Sequence, residues 1–287
     1  MIEAKIIADS VNPDGNRITT WILTYPRFIH AEFMTHRLFS RNAASSRAMP
    51  IEKVIDLVQS NPAMPEFWGV NQKGMQAAEQ LGGDALNLAK HIWLLCRDES
   101  IAMARRLLNL SLHKQIANRV LEPFHHITVL ATATEHENFF ALRAHPDAQP
   151  EFQVLAYRML ARYLENKPQR LDWGEWHIPF GDQMSSDLLL GDRLKVATAR
   201  AARISYLTFE GQIDPQKDYQ LHDKLMESGH WSPFEHCAYA VHPEENWADL
   251  ANFRGWRQYR KLFAGEHRRG INLQEILTNR PEWVRLS

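Results

Sequence analysis

Apolar and polar positions change rhythm along this chain, and each change marks an element. Residues 4–8 and 17–24 alternate or cluster β-branched and apolar side chains as strands do, and Asn12-Pro13-Asp14-Gly15 between them predicts a turn. The run 27–40, with Phe28, Ile29, Phe33 and Met34, reads as a helix that enters a polar stretch. Residues 51–59 predict a short amphipathic helix, and 61–83, rich in Pro and Gly, a loop-rich excursion. Asp84 is placed to cap a long helix to residue 110, since Leu88, Ile92, Leu95, Cys96, Met103 and Leu107 keep helical spacing. Ile127, Val129 and Ala131 alternate as a strand. Helices follow at 135–143 and 151–165, separated by the break at 146–150.

The stretch 171–192 holds Gly174, Pro179, Gly181 and Gly191 and is the best linker, dividing 1–170 from 193–287. Beyond it the pattern predicts helices at 193–205 and 219–228, a turn at 229–233, a strand at 237–241 and a final amphipathic helix at 246–263. Strands are interspersed with helices without a regular βαβ rhythm or a Gly-x-Gly-x-x-Gly turn. The reading is an α+β fold with a mixed or antiparallel central sheet flanked by helices.

Composition narrows the function classes. The formal charge is −1, so no global basic field argues for nucleic acid, and any anion site must be local. No apolar run approaches the ~20 residues of a membrane span, and the start of the chain has no signal pattern. Two cysteines, Cys96 and Cys237, are too few for a disulfide framework or a thiolate zinc site; both read as core residues. The chain reads as cytoplasmic. His125, His126, His136, His222, His236 and His242 show no metal-ligand spacing, so no metal is expected.

Candidate chemistry concentrates in Thr35-His36-Arg37-Leu38-Phe39-Ser40-Arg41-Asn42-Ala43-Ala44-Ser45-Ser46-Arg47, where three arginines, three serines and an asparagine crowd thirteen residues. Guanidinium forks and short hydroxyls suit a phosphate. Taken alone, the stretch would pass for a solvated helix end and polar loop.

This motif resembles the signature of flavin-dependent thymidylate synthases, the ThyX family: Arg-His-Arg-x-x-Ser-x-Asn-x-x-Ser-x-Arg. Thr35 replaces the first arginine, while His36, Arg37, Ser40, Asn42, Ser45 and Arg47 fall in register. Ala117-Asn118-Arg119-Val120-Leu121-Glu122-Pro123 is similar to the family's Ala-Arg-x-x-Leu-Pro helix, and Asn138 through Arg143 to its Asn-x-x-x-Leu-Arg element. Asp147-Ala148-Gln149 resembles its His-Ala-Gln. Ala201 through Ser205 and Gly229 through His236 resemble segments that open the ordinary family chain, yet here they come last. The order resembles a circularly permuted, phage-type member, with 61–111 as an insertion and residues 256–260 as a second, degenerate copy of the signature helix.

The resemblance implies reductive methylation of dUMP to dTMP with FAD, NADPH and methylenetetrahydrofolate as one-carbon donor. It implies Glu32, Ser45, Ser46, Arg47, Arg119 and Arg143 for the nucleotide, with Arg143, Ser45 and His230 nearest the chemistry. Flavin contacts are implied for His36, Arg37, Asn42, Asn138, Ser205 and Ser232. Further family positions are altered: the Asn-x-Arg flavin contact falls on Thr132 and Thr134, the signature glutamate on Ala43, and the His before Ala-Gln on Asp147. Arg257, Arg260 and Glu266 of the second copy are candidates for the missing contacts, Arg260 foremost. The family's shared active sites imply a homo-oligomer, a tetramer or a dimer. Two alternatives stand beside this reading. One is a hydroxymethylase or other modifying enzyme acting on dUMP or dCMP, and the other a nucleotide-binding homologue without catalysis.

Overall fold

The computed structural model describes residues 1–204, 214–245, 250–266, 272–281 and 283–284. The predicted hairpin is its centre: β1 (Glu3–Val11) and β2 (Arg17–Pro26) pair antiparallel around Gly15, whose φ of +82° lies in the left-handed region that glycine tolerates. A bulge between Ile6 and Ala8 shifts the register of β1. β4 (His126–Ala133) pairs antiparallel with β2, and β3 (Ser40–Ala43) with β4. β5 (Gln169–Arg170) runs parallel to β1. The order β3-β4-β2-β1-β5 makes a mixed sheet.

Strand alternation sends two sets of side chains to opposite faces. Trp21, Leu23, Tyr25, Ile127, Val129 and Ala131 pack against Phe139, Phe152, Leu155 and Met159 of helices α5 (Glu137–Arg143) and α6 (Pro150–Glu165). The other face sends Ile22 and Leu130 to Phe180 and to Ala201 of helix α7 (Leu190–Arg203). Thr20 and Thr132, both fully buried, belong to that second face.

Several sequence expectations change. The run 27–40 is not one helix: a 3₁₀ turn (Arg27–Ile29) and a single turn α1 (His30–Phe33) give way to β3. Pairing to β4 buries Ser40 and Asn42, and that tertiary gain overrides a local helical pattern. Residues 256–263 are likewise strand β8 (Trp256–Gln258) and a 3₁₀ turn (Tyr259–Leu262), while 246–249 lie outside the described residues. Gly255, at φ +72°, stops a helix there, and a Cβ on it would sit 2.6 Å from the Asn16 amide. Cys96 is exposed rather than buried in the core.

The long helix appears as α3 (Gly83–Asn109), capped at Gly82 rather than Asp84, and packs Ile101 and Ala104 against α2 (Ile51–Ser60), with the single turn α4 (Lys114–Ala117) after it. Residues 171–192 carry β6 (Trp176–His177), which joins β7 (Ala238–Ala240) and β8 in a small sheet of order β6-β7-β8. Helix α8 (Pro215–Glu227), capped by Asp214, lies against α7. Among the described residues no helix is long and apolar enough to cross a membrane, and no group of three or more His, Cys, Asp or Glu side chains is arranged to hold a metal.

Candidate active site

The signature serves two cavities, one at each end of β3. The first, about 320 Å³, is lined by His36, Arg37, Asn138 and Arg143 together with Glu135. Arg143 closes the last turn of α5, where a cation meets the helix dipole favourably. Its guanidinium pairs with Glu32, donates through Nε to His36 Nε2 at 2.9 Å and lies 4.8 Å above the Phe152 ring. Because Nε2 accepts, the neutral His36 ring carries its proton on Nδ1. Burial, then the charges of Arg143 and Arg41, push His36 down to about 4, so it stays neutral at pH 7. Arg41 donates to the carbonyls of Phe33 and His36 and fixes the turn that aims the imidazole.

The second cavity, about 430 Å³, is lined by Asn42, Ser45, Arg47 and His230, with His113 and Gln115. Arg37 in the first cavity and Arg47 in the second pair with no carboxylate among the described residues, so each offers an uncommitted cation. His230 is held by its backbone N–H on the Leu225 carbonyl at 2.9 Å.

Ser46 and Arg119 form a separate cluster. Glu122 accepts from the Ser46 hydroxyl at 2.7 Å, pairs with Arg119 at 3.0 Å and with Arg27 at 3.2 Å. Asn118 donates to the Ser46 and Met49 carbonyls and pins the loop in place. Glu122 was not a candidate from sequence; its departure from the leucine before proline in the resembled motif was the available signal. Within one chain, then, Arg47, Arg143 and Arg119 stand in three places rather than around one point. Two larger cavities, about 800 and 520 Å³, lie beside β1 and hold none of the predicted residues. The uncommitted arginines and the signature side chains make the smaller pair the better candidate.

A family model described as thymidylate synthase complementing protein matches residues 17–169 and 192–267. The chain belongs to that family. Among solved structures it is similar to a UMP/dUMP methylase, PolB, from Streptomyces cacaoi bound with 5-Br UMP. That match has 17% identity and a TM-score of 0.49 over 57% of this chain and 89% of that one. The 5-Br dUMP complex of the same enzyme gives 17% identity and a TM-score of 0.48, over 57% and 91%. No curated protein matches the chain.

Membership in the thymidylate synthase complementing family sharpens what the departures do. Thr132 is fully buried and bonded to Thr20 and His236. Thr134 accepts from the Arg254 backbone at 2.9 Å, and Arg254 pairs with Glu135 at 3.0 Å on the rim of the first cavity. Arg260 is held by Glu235 and by Glu266, the latter at 2.7 Å. Ser232 opens a 3₁₀ turn beside β3. Ser205 lies outside the described residues. Cys237 is fully buried, and burial pushes its thiol far above the ordinary range, against any thiolate role.

Proposed function

We propose that this chain is a flavin-dependent thymidylate synthase that methylates dUMP with methylenetetrahydrofolate, FAD and NADPH. The observation that carries the reading is the signature's division between two cavities, each with an uncommitted arginine. A nucleotide and a dinucleotide cofactor are both anionic, and each needs a cation where the other is not.

The first cavity suits flavin. Arg37 and Asn138 bring donors for phosphate and carbonyl oxygens, and neutral His36 adds one ring nitrogen as a donor. When bound, FAD would carry hydride from NADPH to the one-carbon unit that the folate delivers. The protein's own work is positioning. Arg47 and Ser45 would hold the nucleotide phosphate in the second cavity, and His230 stands on its wall. Arg143, held by Glu32, His36 and Phe152, has its direction fixed before any ligand arrives, so it would orient a pyrimidine with little further ordering cost.

One chain separates Arg47 from Arg143, so a homo-oligomer in which one subunit's second cavity faces another's first would unite the nucleotide and flavin. The Asn42 side-chain amide lies 3.1 Å from His236 although 194 positions separate them, so the segment resembling the opening of the ordinary family chain packs beside the signature.

Purification decides among the readings. Yellow protein that turns dUMP into a product one methyl heavier by mass spectrometry, only with NADPH, supports the proposal. A hydroxymethyl product formed without NADPH, or turnover of dCMP, would replace it with the modifying-enzyme reading. Colourless protein that binds dUMP without turnover would make it a non-catalytic homologue.

A further inference from the structure

Six buried side chains form one hydrogen-bonded row across the face of the large sheet opposite α5 and α6. Ser10 Oγ lies 2.9 Å from His177 Nδ1, and His177 Nε2 lies 2.8 Å from Thr20 Oγ1. The Thr20 and Thr132 hydroxyls are 2.8 Å apart, Thr132 Oγ1 is 2.8 Å from His236 Nδ1, and His236 Nε2 is 3.1 Å from the Asn42 amide. Every member is 4% exposed or less.

Such a row has two self-consistent directions, because each hydroxyl and each neutral imidazole both donates and accepts. Burial pushes His177 down to about 4 and His236 to about 3, so both are neutral at pH 7. Asn42 selects the direction. Its amide atom facing His236 also lies 3.1 Å from the Arg41 carbonyl and 3.2 Å from the Ser232 carbonyl. Carbonyl oxygens only accept, so that atom is the amide nitrogen, whose two hydrogens are shared among the three acceptors. Asn42 therefore donates to His236 Nε2, His236 Nδ1–H to Thr132, Thr132 to Thr20, Thr20 to His177 Nε2, and His177 Nδ1–H to Ser10. The amide's other atom is its carbonyl oxygen, and Asn42 lines the cavity that holds Ser45 and Arg47.

We propose that the two carbonyls and the buried row lock Asn42 as a hydrogen-bond acceptor toward the second cavity, selecting ligands that carry an imide N–H. Uracil and isoalloxazine share that group, whereas cytosine presents a lone pair at the same ring position. The inference rests on the proposed function for the identity of the ligands, but the direction of the row stands apart from it.

Nitrogen-15 NMR of the unliganded protein tests the direction. The expected spectrum shows His236 protonated at Nδ1 and bare at Nε2; a proton on Nε2 overturns the proposal whether or not any nucleotide binds. The selection is tested by titrating dUMP against dCMP, and riboflavin against its N3-methyl derivative. The parent protein should prefer the imide N–H form of at least one pair by about tenfold or more, the cost of an unmatched buried polar contact. Asn42→Leu removes the acceptor and should abolish that preference. Thr132→Val removes the His236 acceptor, leaves the cavity wall untouched and should narrow the preference, with Thr132→Ser restoring it. Loss of the nucleotide preference identifies uracil as the partner, and loss of the flavin preference identifies isoalloxazine. Preferences unchanged in both Asn42→Leu and Thr132→Val would overturn the assignment.

Discussion

Acid should unfold this protein well above the pH at which its carboxylates titrate. Its three most deeply buried low-titrating histidines alone supply a large part of the effect, to which His30, His36, His125 and His126, each also pushed down to about 4, add. His136, His177 and His236 are 2%, 1% and 1% exposed, and burial pushes them down to about 3, 4 and 3. In the unfolded chain each would titrate near ~6.5. Between that value and about 4 the unfolded state takes up protons that the folded state refuses, so stability falls as pH falls. Integrated from pH 7 to pH 5, each histidine costs nearly 2 kcal/mol, and the three together roughly 5.5 kcal/mol. A domain holds only roughly 5–15 kcal/mol in total. Protonation would also break named contacts: Trp21 Nε1–H donates to His136 Nε2 at 3.0 Å, and the other two imidazoles are links in the row that ends on Asn42.

Urea titrations at pH 7 and pH 5, followed by far-ultraviolet circular dichroism, measure the difference directly. His136→Gln cannot titrate and should shrink the gap between the two pH values by about 2 kcal/mol. Equal unfolding free energies at pH 7 and pH 5, within about 1 kcal/mol, would refute the neutral, buried state of these rings.

Arg143→Ala should lower turnover about a hundredfold with the fold intact, as removal of a preorganised donor does; steady-state kinetics beside a circular dichroism spectrum checks both. Arg47→Ala should weaken dUMP binding at least about tenfold. Ser46→Ala should cost about 1 kcal/mol of stability and leave affinity nearly unchanged, because that hydroxyl faces Glu122. Isothermal titration separates the two, and equal losses of affinity would be fatal to the distinction. Leu88, Ile92 and Leu95 leave an apolar stripe of α3 exposed, so Leu88→Glu with Leu95→Glu should shift the protein toward monomer in size-exclusion chromatography and lower its activity. Arg260→Ala should weaken retention of flavin. Unchanged affinity would mean that Arg260 only braces Glu235 and Glu266.

The hairpin and the helices α2, α3, α5, α6, α7 and α8 were legible because their periodicities are long and their turns carry Gly, Pro or Asp signals. What periodicity hid were the short pieces whose partners lie far off in sequence. Ser40-Arg41-Asn42-Ala43 is a strand only because Thr132 through Val129 lies beside it, and Trp256-Arg257-Gln258 only because Ala238 through Ala240 does. The same limit applies to the site. The cavity-lining Arg37, Ser45 and Arg47 could be named from one motif. Glu122, His177, Thr20 and Thr132 act through contacts 76 to 167 positions away, which no local pattern records.

The strand has a consequence for how the signature works. A helix rises about 1.5 Å per residue, so eight residues from Arg37 to Ser45 would span only ~12 Å and all signature groups could surround one ligand. Extended chain allows up to roughly 28 Å over the same eight residues. β3 uses that extension, which is why His36 and Arg37 face one cavity while Ser45 and Arg47 face another. Its middle residue Asn42 reaches the second cavity while its amide is tied to the Ser232 turn. A change that shortens β3 or slips its register by one residue would turn Asn42 to the opposite face. Both cavities would keep their cations in such a variant, yet the acceptor between them would be gone.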